Sequence, residues 1–497
     1  MAAYLRPGVY VQETLNPIAP VTGANSTSVA AFLGANARGP LTPTLVTSWS
    51  EYVKYYGGWS TDNTLALAVF LFFSNGGNQA YVQRVTAGTP VSATRTLKDT
   101  LGTIDTLKIT ANNPGTWGNS IAITTQVSPG ASDYFDLTIY YGGVAAANKV
   151  ESFPNLSMVN SDGRYAISVI NAQSTWITAT DMDSASVGAA SNPLPVTAQS
   201  LSTGSDGTAP SGANIASAVG GFDVINNSLI LNAPGLTTST DINTIITYAE
   251  ERKDVFVVID PINDTVANQL TRAAAYTASS YAAVYYPTIT INDPTNTTPG
   301  TVITAANPGG AIVGKYAATD KSRGVFKAPA GLSVRLAGAV SVPALTNTNL
   351  DSLNSASSPV NAIRFIPGSG IVIMGARTLK GGYADMYIPV RRSLIYLEKA
   401  LVELTQFAIF EPNDTVLYRR ISAIVNGFLT NFWSQGGLRG NTPDQAFFVM
   451  CDETNNTLAT VEAGQVNIQV GVSLQRPAEF VVINIGQFDG GATVTVA

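Results

Sequence analysis

The chain has 497 residues, 45% of them hydrophobic and only 12% charged, with a formal charge of −6 and no histidine. That length exceeds one ordinary core, so three or four compact units are expected, and an acidic balance without a dense basic stripe speaks against a general nucleic-acid binder. Without imidazole there is no Ser-His-Asp or Cys-His arrangement, no His proton shuttle and no His-containing zinc or iron site.

The charged fraction is about half of the roughly 25% usual for soluble chains. A surface so poor in charge does little to keep copies apart and resembles the centre of an interface, which leans towards self-assembly. The start, Met1 to Pro7, has no charged segment followed by an apolar stretch, so no secretory signal is read. The apolar run Leu65 to Phe73 is far short of the roughly 20 residues that span a bilayer, so no membrane insertion is expected. The lone Cys451 permits no internal disulfide, and the run Ala446 to Cys451 makes it a buried strand position.

In chain order, Tyr4 to Gln12 alternates like a strand, but Pro7-Gly8 interrupts it and Asn16-Pro17 follows, which confines it to an edge. Residues 1–24 therefore read as an extended arm whose Val9, Tyr10, Val11 and Gln12 need another surface to lie on. An α/β rhythm follows: a strand from Thr27 to Gly34, a short helix from Trp49 to Tyr56, an apolar helix from Thr64 to Phe73 ending at Asn75-Gly76-Gly77, and a strand from Tyr81 to Val85. Between 95 and 209 short β-prone runs broken by Gly, Ser, Asn and Pro read as an inserted β-rich outer domain. It closes in a Ser/Thr/Gly linker at Ser200 to Gly212. The rhythm resumes with helices at Ile242 to Arg252 and Val266 to Tyr276 and strands at Val255 to Ile259 and Ala282 to Tyr286.

Beyond Pro389, Leu394, Leu397, Leu401, Leu404 and Ala408 mark the buried face of a helix of about 20 residues. A second helix, Thr415 to Phe432, turns Leu417, Ile421, Ile424, Phe428 and Phe432 inward. Val466 to Leu474 alternates as a half-buried strand, Glu479 to Gln487 gives another, and Thr493 to Val496 (Thr493, Val494, Thr495, Val496) forms a last small one. The fold class is thus mixed α/β and multidomain: arm 1–24, α/β core 25–94 with 210–374, inserted domain 95–209, α+β C-terminal domain 375–488 and arm 489–497.

Gly309 to Lys315 satisfies G-x-x-x-x-G-K, but Tyr316 stands where a phosphate loop needs Ser or Thr for Mg²⁺, and Asn307-Pro308 stands where a buried strand should precede. It reads as a turn leading into a structural helix. Asp181 and Asp183 lack calcium-loop spacing, and Asp260 reads as a strand-end cap. No catalytic, cofactor-binding or metal residue is assigned, and no cofactor is expected. Residues 375–440 carry eight Lys/Arg against five Asp/Glu, a surplus of three. These are either solvated helix faces with intramolecular pairs, or a surface where Arg391, Arg392, Arg419 and Arg420 hold an acidic partner.

Several segments resemble contractile tail sheath proteins of phages and related injection systems. These are Arg6 to Glu13, Phe72 to Gly77 with Tyr81-Val82, Asp320 to Gly331, Gly375 to Leu379, Val390 to Arg392, Phe410 to Asn413, Gly436 to Gly440, Ala446 to Val449 with Cys451-Asp452, and Arg476 to Phe480. The resemblance covers roughly residues 4–90 and 240–488. It implies a homopolymer of stacked rings forming a helical sleeve around a tail tube, with baseplate and tail terminator proteins at its ends and no direct nucleic-acid contact. It also implies terminal arms that lend strands to neighbouring C-terminal domains, and a basic C-terminal face turned to the tube. The particle would be a virion tail made in the bacterial cytoplasm, or a cytoplasmic or released injection particle. The alternative is a strand-donating surface or adhesive polymer without contraction, and a third reading, an α/β enzyme, has only the defective phosphate loop behind it.

Overall fold

The computed structural model describes residues 27–480 except 60–62, 183–187, 295, 297, 299 and 383–385. Both arms, with Val9 to Gln12 and Thr493 to Val496, lie outside the described residues. So do Asp183 and nearly all of the strand expected at Glu479 to Gln487.

The chain begins with β1 (Val29–Ala35), β2 (Thr44–Val46), α1 (Trp49–Tyr56), α2 (Thr64–Ser74) and β3 (Ala80–Val85). Asn63 caps α2 by accepting from the Ala66 amide, and Gly76 at φ +99° ends it. The insertion follows with β4 (Thr94–Lys98), β5 (Asp105–Ala111), β6 (Ile121–Ser128), β7 (Ala131–Tyr141), β8 (Lys149–Leu156), α3 (Ala166–Gln173), β9 (Ile177–Asp181) and β10 (Val196–Ser200). Its strands form a four-stranded sheet, β10-β6-β7-β8, and a three-stranded one, β4-β5-β9. The inward residues of both, among them Leu107, Ile109, Ile123, Leu137, Ile139 and Ile177, make a core of their own. Helix α3 was not foreseen, because its eight residues lie among β-prone runs.

The tract from Ser200 to Gly212 is not a loose linker. It runs antiparallel beside the outgoing strand, with bridges Thr94↔Ser202, Val91↔Ser205 and Ala87↔Thr208, and then Ser211 caps the next helix. Composition alone favours a loop here, but backbone pairing needs no particular side chains.

After it come α4 (Gly212–Ser217), β11 (Leu229–Asn232), α5 (Ser239–Arg252), β12 (Val255–Ile259), α6 (Val266–Ala274), β13 (Ala282–Tyr286), β14 (Ile289–Asn292), β15 (Val302–Ala306), α7 (Gly309–Arg323), β16 (Ala339–Ser341), α8 (Asn347–Ser355), β17 (Val360–Ile366) and β18 (Gly370–Ile373). The main sheet is eight-stranded in the order β18-β17-β13-β12-β11-β1-β3-β2. Its centre from β17 to β3 is parallel throughout, with antiparallel strands only at the edges. Parallel strands are covered on both faces and so read as unbroken apolar runs. Val255–Ile259 is buried at every position, and each such side chain contributes roughly 1.5–3 kcal/mol of burial.

Helix α7 contains the phosphate-loop look-alike. The glycines stand inside the first turns of the helix, which differs from the expected turn, and they serve contact with α2. A Cβ on Gly310 would lie 2.0 Å from the Ala68 carbonyl oxygen, and one on Gly314 would lie 2.6 Å from that of Phe72. The spacing of four between them is one helical turn, so it makes a seam where two backbones touch. The Gly309 amide donates to Asp260 at 2.6 Å, and Asn232 donates to the same carboxylate at 2.9 Å. Asp260 thus caps α7 from the end of β12.

Burial pushes the Asp260 carboxyl from 3.8 up to about 6. The folded chain holds that proton more tightly than the unfolded one. The resulting stability is complete below about pH 4 and is lost as pH rises through about 6, by up to about 3 kcal/mol. Subtracting the denaturation free energies of Asp260→Asn from those of the parent between pH 4 and 7.5 should reveal that slope, and a flat difference would refute it.

The C-terminal unit consists of α9 (Ile388–Thr405), α10 (Thr415–Ser434) and an antiparallel pair, β19 (Phe447–Met450) with β20 (Gln469–Val472). Helix α10 buries Leu417, Ile421, Phe428 and Phe432 as expected, with Val425 and Leu429 where Ile424 was expected to lead. Strand β20 is shorter than the alternation of 466–474 implied, yet Val466, Ile468, Val470, Val472 and Leu474 all pack on the same core. Cys451 is buried there, and burial pushes its thiol up to about 11. Helix α9 is shared: Ile388 and Ile395 belong to the core of the main sheet, Leu397 and Ala400 to that of the C-terminal unit.

Candidate assembly surface and the joints behind it

The four arginines nominated for an acidic partner divide into two pairs. Arg391 and Arg392 are 2% and 4% exposed and do not face outward. Arg392 donates from both terminal nitrogens to Asp320 of α7, at 2.9 and 2.6 Å, and donates again to the Thr27 carbonyl at 3.0 Å. Its guanidinium lies 4.8 Å from the Tyr316 ring centre, and the Tyr316 hydroxyl meets that of Tyr285 at 2.5 Å. Arg391 stacks 4.6 Å from the Tyr281 ring and donates to its hydroxyl. The first turns of α9 lie against the main sheet, and the planar fork of arginine suits such buried pairing. For these two the expectation of a partner-facing role is corrected: they join parts of one chain.

Arg419 and Arg420, on the outer face of α10, are exposed. Arg420 lies 4.3 Å over the Phe407 ring, and Arg419 lines an open groove with Tyr418, Asp452 and Glu453. Phe410, in the loop before α10, is 88% exposed with φ +66°. A bulky residue in the left-handed region costs about 1–2 kcal/mol of local strain. Val416 and Leu458 are also largely exposed on this unit. The C-terminal unit thus exposes both large apolar side chains and charged ones, with Arg419 sharing its groove with Asp452 and Glu453.

Further joints went unforeseen. Lys399 of α9 meets Asp254 at 2.9 Å, and Arg252 holds the other oxygen of that carboxylate at 2.6 Å. Arg377 grips Glu479, with its Nε at 3.1 Å from both carboxylate oxygens and Nη2 at 2.5 Å from one. Arg84 and Arg38 join the insertion to the main body. Arg84 donates to the carbonyls of Asn36 and Pro114 and pairs with Asp206. Arg38 lies 3.5 Å over Trp176 and 4.7 Å over Trp117, and burial lowers its pKa to about 10. The signal for Arg84 was present, since it is the single charged residue in the buried strand Ala80–Val85. Asp181 ends β9 and accepts from the Tyr165 hydroxyl at 2.6 Å, a structural role. Among the described residues no group of three His, Cys, Asp or Glu is gathered to hold a metal, and no helix is long and apolar enough to cross a membrane.

Residues 86–206 match the family described as phage tail sheath protein beta-sandwich domain. The structure is similar along 98% of its length to the sheath subunit of an extracellular contractile injection system, PVC, in the contracted state, covering 99% of that chain at 21% identity with a TM-score of 0.60. The contracted helical sheath of the anti-feeding prophage gives 0.59 at 21% identity, over 98% of this chain and all of that one. A sheath tail protein of Listeria innocua gives 0.62 at 14% identity, covering 88% of this chain and 90% of that one.

The chain has the contractile-sheath fold.

Within it, 179 residues are 27% identical to the tail sheath protein of Vibrio phage KVP40, a match that takes in 35% of this chain and spans about a quarter of that relative's length. The sheath β-sandwich corresponds to the insertion between the two strands of the 87–94 and 202–208 neck, and the rest of the sheath fold to the main sheet and the C-terminal unit.

Proposed function

We propose that this chain is a structural subunit of a contractile sheath. It polymerises as a helical sleeve around a tail tube and shortens to drive that tube through a target cell envelope, with no catalytic step. The observation that carries this reading is the likeness along 98% of the chain to subunits of contracted sheaths. The work would come from passing between two packings of one chain, the first of them metastable. The particle is a virion tail or a related injection particle, with baseplate and terminator proteins as further partners.

In this reading the segments around Val9 to Gln12 and Thr493 to Val496 add strands to neighbouring copies, where backbone hydrogen bonds supply affinity and alternate side chains supply register. The pair β19–β20, short and two-stranded among the described residues, is the acceptor we favour. Negative-stain electron microscopy of the chain expressed alone should show hollow sleeves of constant width. Removing residues 1–15 should leave a folded, soluble chain without them, whereas normal sleeves from that truncation would refute the arm assignment.

Arg419 and Arg420 remain the candidates for an acidic tube. Arg419→Glu with Arg420→Glu should weaken co-assembly with the tube protein more than self-assembly into sleeves, because reversing exposed charges at an interface costs mainly where the partner is oppositely charged. Equal loss of both, measured by sedimentation of mixed and single-component assemblies, would point to a fold defect instead.

A further inference from the structure

Two arginine forks gather at the start of one helix, α9: Arg392 in its first turns, and Arg377 bridged to Tyr387, the residue that caps it. Near the N-terminus, the Thr27 carbonyl accepts from Arg392 while that guanidinium is paired with Asp320. Near the C-terminus, Glu479 is gripped by Arg377. Arg377 also donates to the Asn354 carbonyl at 2.8 Å and forms a bridge with Tyr387, the residue that caps α9. The Tyr387 hydroxyl reaches Glu479 at 3.5 Å. Tyr387 and Arg392 are five residues apart, about 7.5 Å along a helix.

We propose that the start of α9 is a common anchor for the N- and C-terminal regions of the chain, with Arg392 as the clasp on Thr27 and Arg377 as the clasp on Glu479. The consequence for assembly rests on the sheath reading; the clasps do not. If the terminal segments tether neighbouring copies, a pull between neighbours has a route from one segment to the other across the start of α9, beside the route through β1 and the main sheet. Arginine is required at both places, because a lysine offers a point charge where a planar fork holds a carboxylate and a backbone carbonyl together.

The test is amide hydrogen exchange on the full chain under conditions that keep it unassembled. Arg392→Lys should speed exchange in residues 28–31 and Arg377→Lys in residues 474–480, each by about tenfold and each confined to its own root, as expected when a local tie is released without global opening. Lys399→Met, which breaks a joint of α9 away from both roots, should change neither. The pair Arg392→Met with Asp320→Leu removes the Thr27 bond without leaving a buried charge, and serves if Arg392→Lys folds poorly. Unchanged exchange at the roots would overturn the clasps. A second arm measures the force needed to rupture assembled sleeves. Lower force in the lysine variants supports the path through α9, and parental force despite loosened roots overturns that path. A parent that forms no sleeves refutes the sheath reading alone, since the exchange result is read without assembly.

Discussion

Gly310→Ala should destabilise the chain by about 3 kcal/mol or more, in spite of alanine's advantage of about 1 kcal/mol over glycine inside a helix. The added methyl would lie 2.0 Å from the backbone oxygen of Ala68, where no side-chain rotation relieves it, so α2 and α7 must move apart. Both helices are packed on the main sheet and their residues sit in its core, so the shift spreads. The midpoint of denaturant unfolding checks this. Lys315→Ala should be mild in the same assay, because Lys315 is only half-buried and no ion pair is seen for it among the described residues. A large loss from Lys315→Ala with little from Gly310→Ala would reverse the reading of this motif as a helix seam.

Asp320→Ala should cost about 3–5 kcal/mol, because it strands the Arg392 guanidinium in a site where both side chains are almost wholly buried, 4% and 3% exposed. Asp320 also stands in the last turn of α7, where the helix dipole disfavours a carboxylate, so Arg392 offsets that as well. Replacing both partners, Arg392→Met with Asp320→Leu, should recover most of the stability. The double-mutant coupling is then large and is obtained from the same unfolding curves. If the single and double variants lose equally, the pair is not what holds α9 to the main sheet.

These two cases mark where the sequence was legible. Unbroken apolar runs placed β1, β3, β12 and β13, and the 3.6-residue pattern placed α9 and α10, because apolar periodicity is a direct record of which face is buried, whereas the parallel strands β11 and β17 were not foreseen. The glycine spacing in α7 was visible but ambiguous, since a phosphate loop and a helix seam both demand residues without side chains. The arginines were harder. Arg391 and Arg392 at a helix start look like surface residues, and only the arrival of Tyr281 at the first, and of Asp320 and Thr27 at the second, from positions far away in the chain, turns them inward. Arg419 and Arg420 have the same composition and the opposite fate. The neck of the insertion was missed for another reason: its pairing is made by backbone groups of Ser, Thr and Gly, which leave no pattern in side chains.

That neck has a consequence for how such chains diversify. The path leaves the main body at Ala87 and returns at Thr208, and the two strands are stitched by reciprocal bonds between Val91 and Ser205 and between Thr94 and Ser202. Everything beyond it has its own core and closes on itself. To the main body, then, the whole sandwich is a hairpin turn. It is a cassette that can be enlarged or pared down at its far end, while the scaffold beneath registers the two strands of its stem and the contacts of Arg38 with Trp117 and Trp176 and of Arg84 with Pro114.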